Sequence, residues 1–324
     1  MLTVLATLLV RSAYQGESSF FKMLYQKPAL TVQQQIAQLQ ARGLVIDNLD
    51  EAAHFLSEVS YYRLSGYWWS LQSDKVNHIF KPGARFSQAL NLYLFDRELR
   101  LLVFDVIERL EIGFRTRIIY ELSLAHGAWW FEDVSLFINP LHFEENLKKI
   151  RQEVSRSKEV FVRDHLSRYN LDDRFPPAWK TLEVVSFGQL SKIYKNLNHR
   201  LAPVKDQIAG NLYVANHTYL QSWLQSISDI RNTCAHHSRL WNRHLPAVPK
   251  LLPKPHLPWI VNVPTRSEHN TLYVALCCMK YLLNTISPGS QFGQRLEDLL
   301  AKYPTVDHRA MGFTDKWRQE PLWR

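Results

Sequence analysis

Cysteine is scarce: the chain holds only Cys234, Cys277 and Cys278. Three thiols cannot build a disulfide framework, and adjacent cysteines rarely bridge each other, so the sequence points to a reducing, cytoplasmic compartment. No apolar run has the length of a membrane span. The opening MLTVLATLLV is too short, lacks basic residues before it and runs into Arg11 without a small-residue cleavage site. Residues 1–22 therefore read as an extension, as from an early start. Internal repeats, low-complexity tracts and sustained apolar/polar alternation are also missing, which excludes solenoids, disordered chains and most β architectures. Acidic residues are outnumbered, 30 against 39 basic ones. Such a field favours polyanionic partners over small acidic molecules.

What is present is a series of helical periods. Thr31 can cap a helix carried by Val32, Ile36 and Leu39 and stopped at Gly43. A second spans Asp50–Ser60. The dense aromatic stretch Tyr61–Trp69, with Arg63 inside it, could stack bases, although such rings more often fill cores. A turn-rich connector at Phe80–Phe86 leads into the longest periodic run, Ser87–Leu124, which has no proline and only Gly113. On this run Arg97, Arg100, Glu108, Glu111 and Arg115 fall within an arc of about 80°. An ionic stripe on an otherwise apolar helix should be paired, solvent-lining or turned to another subunit. Phe143, Leu147, Ile150 and Val154 carry an exposed amphipathic helix, and another begins at Trp179. Six prolines between 245 and 264 make an extended connector, after which Thr271–Ile286 and Gln294–Lys302 return to helix. The fold class is all-α.

Chemistry concentrates in Ser228–Arg243, SDIRNTCAHHSRLWNR. On an ideal helix Asp229, Asn232, His236, Arg239 and Arg243 share one side, while Arg231 joins the apolar side with Leu220, Leu224 and Ile227. A guanidinium there needs a carboxylate or phosphate. Glu108 and Glu111 are the expected partners if the two helices pack, although Glu111 and Arg115 also suit an ordinary i,i+4 pair. His236 lies about 140° round from Arg231, so the two meet only on a distorted helix, by snorkelling, or across two copies of the chain. Between Ser191 and Arg243 seven Lys or Arg face two Asp. Local residues alone also fit a solvated basic face with histidines at a helix end. Cys234, His236 and His237 diverge on a helix and have no second cluster, so neither a metal set nor a cofactor is expected. Cys234 lacks the surroundings of a reactive thiol.

Arg231-Asn232-x-x-x-His236 resembles the Arg-x(4–6)-His signature of HEPN ribonucleases. The longer string RNTCAHHSRLWNR is similar to the Abi-like family of abortive-infection proteins, of AbiD/AbiF type. So are the Tyr-Tyr-Arg-Leu segment from Tyr61, the segments from Phe95 and Glu108, the residues Glu183, Ser186 and Gly188, and the tail from Met311. The likeness covers roughly residues 23–324. It implies a HEPN-like helical bundle at 81–244, an N-terminal helical region at 23–80, and a proline-rich connector with C-terminal helices at 245–324. It further implies metal-independent RNA cleavage leaving a 2′,3′-cyclic phosphate, by a homodimer with a composite site. Arg231, His236 and Asn232 would be catalytic and Glu108, Glu111, Arg115 and His237 supporting, with Arg239, Arg243, Arg97 and Arg100 on the RNA. An antitoxin protein or regulatory RNA would restrain the activity, in a non-membrane setting. The alternative is a non-catalytic RNA-binding or protein-interaction module.

Overall fold

The computed structural model describes residues 27–262, 264–265 and 269–324; the extension at 1–22 lies outside them. Helix α1, Val32–Ala41, starts at a reciprocal capping box of Thr31 and Gln34 and gives way to Gly43 at φ +90°, a conformation that favours glycine. Helices α2, Leu49–Glu58, and α3, Tyr61–Trp68, follow. A small antiparallel pair, β1 (Gln72–Asp74) and β2 (Ile79–Phe80), precedes the connector and meets it at Phe80. Leu64, Tyr67 and Trp68 of α3 enter the core, whereas Tyr62 and Trp69 of the aromatic stretch stay exposed.

The long periodic run is one helix, α4, Phe86–His126, about 60 Å at 1.5 Å per residue. Its buried residues, Phe86 through Leu122, occur on more than one face, because neighbours surround it. After it come α5 (Pro140–Arg156), α6 (Val160–Arg168), α7 (Ala178–Thr181), α8 (Phe187–Asn196), α9 (Ala202–Gly210) and α10 (His217–Ala235). The helix expected from Trp179 is thus interrupted: Ser186 caps a new one, its hydroxyl accepting from the Gln189 N–H. Helices α11 (Leu272–Ile286) and α12 (Phe292–Lys302) complete the twelve α-helices among the described residues.

Helices α3 and α9 to α12 all pack on α4, and α10 also packs on α8 and α11. One apolar cluster runs from Leu39 to Leu322. It crosses both 80/81 and 244/245 without a break, since α3, α11 and α12 share α4 as their support. Gly113 allows a close approach of α4 and α11: a Cβ there would lie 2.7 Å from Ile286 Cγ2 at the end of α11. No described helix is long and apolar enough to cross a membrane.

Candidate functional site

The basic segment does not continue as helix to Arg243. Helix α10 ends at Ala235, with His236 as its C-cap and His237 at φ +53°. The Ser238 N–H bonds the Thr233 carbonyl at 2.9 Å and the His237 N–H bonds the Cys234 carbonyl at 3.0 Å. These are the two bonds of a Schellman turn, with histidine in the left-handed position usually held by glycine. His237 is therefore a turn residue, and the chain leaves the helix axis just after His236. The single wheel of Asp229, Asn232, His236, Arg239 and Arg243 is replaced by a helix end and a folded-back strand of chain.

Four ties fix that turn. Arg63 of α3 donates to the His237 carbonyl. Arg239 returns the favour to the Gly66 carbonyl, so this guanidinium, expected on RNA, is a strut to α3. Asp96 of α4 is fully buried and accepts from the backbone N–H of Leu240 (3.1 Å) and Trp241 (2.6 Å). It also accepts from the Tyr67 hydroxyl at 2.7 Å and from Arg100. Burial pushes the Asp96 carboxyl up, while Arg100, Tyr67 and the two backbone N–H groups pull it down. Burial and the adjacent carboxylate raise the Tyr67 hydroxyl, which keeps its proton to donate. Arg100 is thus a core ion-pair member and not a phosphate ligand. Asp96 was not singled out from the sequence; an aspartate four residues before an arginine on an apolar helix was the available signal.

The expected pairing of Arg231 with Glu108 or Glu111 does not form. Glu111 holds Arg115 at 2.7 Å, and Glu108 is exposed without an ion pair among the described residues. Arg115 donates to the carbonyls of Glu183 (2.7 Å) and Val185 (2.9 Å), pinning the approach to α8. Arg231 is half-buried, its Cζ 5.9 Å from the Phe104 ring centroid on α4, and its Nε is buried without a hydrogen-bond partner. Arg97 is exposed. Lys205, one of the seven basic residues, is buried over the Tyr194 ring, and burial lowers its pKa.

His236 and Arg231 open into two adjoining clefts. One, of about 240 Å³, is lined by Asp229, Asn232, Thr233, His236 and Arg243 among others. The other, of about 410 Å³, is lined by Arg231, Ser228, Lys149 and Lys192 together with the same Asp229 and Asn232. Asp229 and Asn232 form the shared wall. Partial burial raises the Asp229 carboxyl, and Arg243 opposes that shift. Within one chain the imidazole and the guanidinium flank this wall and do not face one another across a single cavity. Asn232 belongs to both sides. The buried Cys234 thiol is pushed up to about 12 by burial, which removes it as a nucleophile at neutral pH. Among the described residues no group of three or more His, Cys, Asp or Glu is placed to hold a metal ion.

A family model described as Abi-like protein matches residues 54–242, more than half of the chain. The matched span contains α3, α4 and α10, with the turn they anchor. No curated protein and no solved structure matches.

Proposed function

The chain belongs to the Abi-like protein family, and from that premise we propose that it is a metal-independent endoribonuclease of HEPN type acting in abortive infection. The observation that carries this reading is the wall of Asp229 and Asn232, which joins the His236 cleft to the Arg231 cleft. The wall leaves His236 open on one cleft and Arg231 on the other, so each is accessible to a strand and to a second copy of the chain.

In this mechanism a 2′-hydroxyl attacks the adjacent phosphorus while the bond to the 5′-oxygen breaks, leaving a 2′,3′-cyclic phosphate and a free 5′-hydroxyl. His236 takes the 2′-proton or delivers one to the leaving oxygen. Arg231 carries the charge developing on the phosphoryl oxygens, Asn232 orients ring or substrate, and Arg243 holds a neighbouring phosphate. Because the two groups flank a wall within one chain, the working site combines His236 of one copy with Arg231 of another in a homodimer. An antitoxin protein or regulatory RNA keeps it silent.

The same separation favours a second reading, a non-catalytic RNA-binding module. Gel analysis of diverse RNAs separates the two. His236→Ala is expected to abolish cleavage and toxicity while binding survives, and His237→Gly, which suits the left-handed turn, is expected to retain both. Mixing His236→Ala with Arg231→Ala chains should restore about a quarter of dimeric sites if the site is composite. Cleavage undiminished in His236→Ala rejects the role of that residue; no cleavage by the unmodified protein favours the binding module.

A further inference from the structure

Behind Arg231 the 410 Å³ cleft has a floor to which the mechanism assigns no role. Asn146 of α5, Gln189 of α8 and Ser228 of α10 line it and are only 8%, 7% and 8% exposed. The Gln189 Nε2 donates to the Asn146 backbone carbonyl at 2.9 Å. The Asn146 side-chain amide, the Gln189 Oε1 and the Ser228 hydroxyl have no hydrogen-bond partner among the described residues. These polar atoms are open to the cleft and not sealed behind it, and donors and acceptors gathered in one cleft match the edge of a nucleobase.

Around this floor stand Lys149, Lys192 and Arg231, none of them ion-paired among the described residues. Glu153, also on the cleft, is engaged by Arg156, which offsets its charge. Through Glu153 the cleft continues into an outer one of about 710 Å³ whose Arg156 and Lys158 are matched by Glu159 and Glu183, so the basic character lies in the inner cleft. Through Asp229 and Asn232 it continues to His236. Gly188 is part of the design: a Cβ there would lie 3.1 Å from the Ser228 hydroxyl and crowd the floor. A 410 Å³ cleft is within the usual size of small-ligand sites, about 300–1,000 Å³. It suits one unstacked nucleotide and not a duplex.

We propose that this cleft is a base-reading subsite for single-stranded RNA. Asn146, Gln189 and Ser228 contact the edge of one base, and Lys149 and Lys192 hold its flanking phosphates. The strand runs over Asp229 and Asn232 towards His236. The inference rests on the nuclease reading for the strand's destination, but the binding step is separate from cleavage. The chemistry recognised is a nucleoside phosphate, here as part of a strand and not as a free nucleotide.

The test uses the full chain and fluorescein-labelled 2′-fluoro homopolymers of A, C, G and U, about eight nucleotides long, which lack the attacking hydroxyl. Fluorescence anisotropy is expected to show one base bound about tenfold or more above the weakest. Asn146→Ala and Ser228→Ala should compress that spread to about threefold or less without weakening the poorest ligand. The Gln189 bond survives in Asn146→Ala because it goes to the backbone, and circular dichroism melts check the fold. Lys149→Ala with Lys192→Ala should weaken all four ligands alike and reduce the slope of log affinity against log salt by about 1.4. Equal affinities for the four bases, a spread unchanged in both floor variants, or an unchanged salt slope would overturn the subsite. Nucleoside monophosphates binding as tightly as the oligomers would overturn the strand assignment. Absence of cleavage in the earlier assay, with base-dependent binding here, would reject the nuclease and leave the subsite standing.

Discussion

Asp96→Asn changes almost no volume and tests the latch that holds the turn after α10. In the native protein Oδ1 takes the Trp241 N–H and shares that of Leu240 with Oδ2, which also takes the Tyr67 hydroxyl and Arg100. An amide can serve only one of these pairs through its oxygen; its NH₂ then faces donors on the other side. The Arg100 side chain, 7% exposed, loses its counter-charge in either orientation. Breaking a buried pair from one side costs about 3–5 kcal/mol, whereas an exposed i,i+4 pair is worth less than about 1 kcal/mol. The orphaned N–H groups overlap with that figure and do not simply add to it. For a chain of this size the loss corresponds to about 5–8 °C in Tm. Urea unfolding followed by tryptophan fluorescence and by circular dichroism gives the measurement, with coincident transitions required for a two-state reading. Adding Arg100→Met should restore at least about 1 kcal/mol by removing the stranded charge. A loss under about 1 kcal/mol for Asp96→Asn, with no coupling to Arg100, refutes the latch.

Three further outcomes follow from particular contacts. Gly113→Ala should lose about 1–3 kcal/mol by overpacking against Ile286, and Ile286→Val should recover part of it in urea midpoints. Partial burial pushes the Asp206 carboxyl up, but the bonds from the His217 backbone and ring outweigh it and leave the carboxyl below its ordinary value. Its contribution is therefore present above the unfolded carboxylate range, about pH 4, and fades as pH falls through the lower folded value. Asp206→Asn should flatten the acid limb of a stability–pH curve; an unchanged limb would contradict this. Burial raises the thiols of Cys234, Cys277 and Cys278, so a chromogenic disulfide reagent at pH 8 should leave all three silent until denaturant is added.

The helices were legible where periodicity was long. The run from Ser87 to Leu124 became Phe86–His126, and Thr31 and Gly43 bracket α1 as capping chemistry predicts. Ser186 with Gln189 three residues on was a readable capping signal, yet the apolar pattern before it masked the break. The stop at His237 gave no such signal, because its left-handed turn lacks the glycine that normally announces one. Arg100 and Arg97 look alike on a helical wheel. Only the packing of α3 and the Leu240–Trp241 backbone distinguishes a buried partner of Asp96 from an exposed cation. Arg231 on the apolar side was sound geometry; its partner was not, since Glu111 was already held by Arg115.

The bonds from Asp96 to Leu240 and Trp241 join positions 144 and 145 residues apart. A polypeptide still emerging from the ribosome has made α3 and α4 long before it supplies the far half of that closure. The groups assigned to catalysis can be oriented only once synthesis has passed Trp241 and the distant ends have met. On the nuclease proposal, activity would wait for that closure and so for synthesis to pass Trp241.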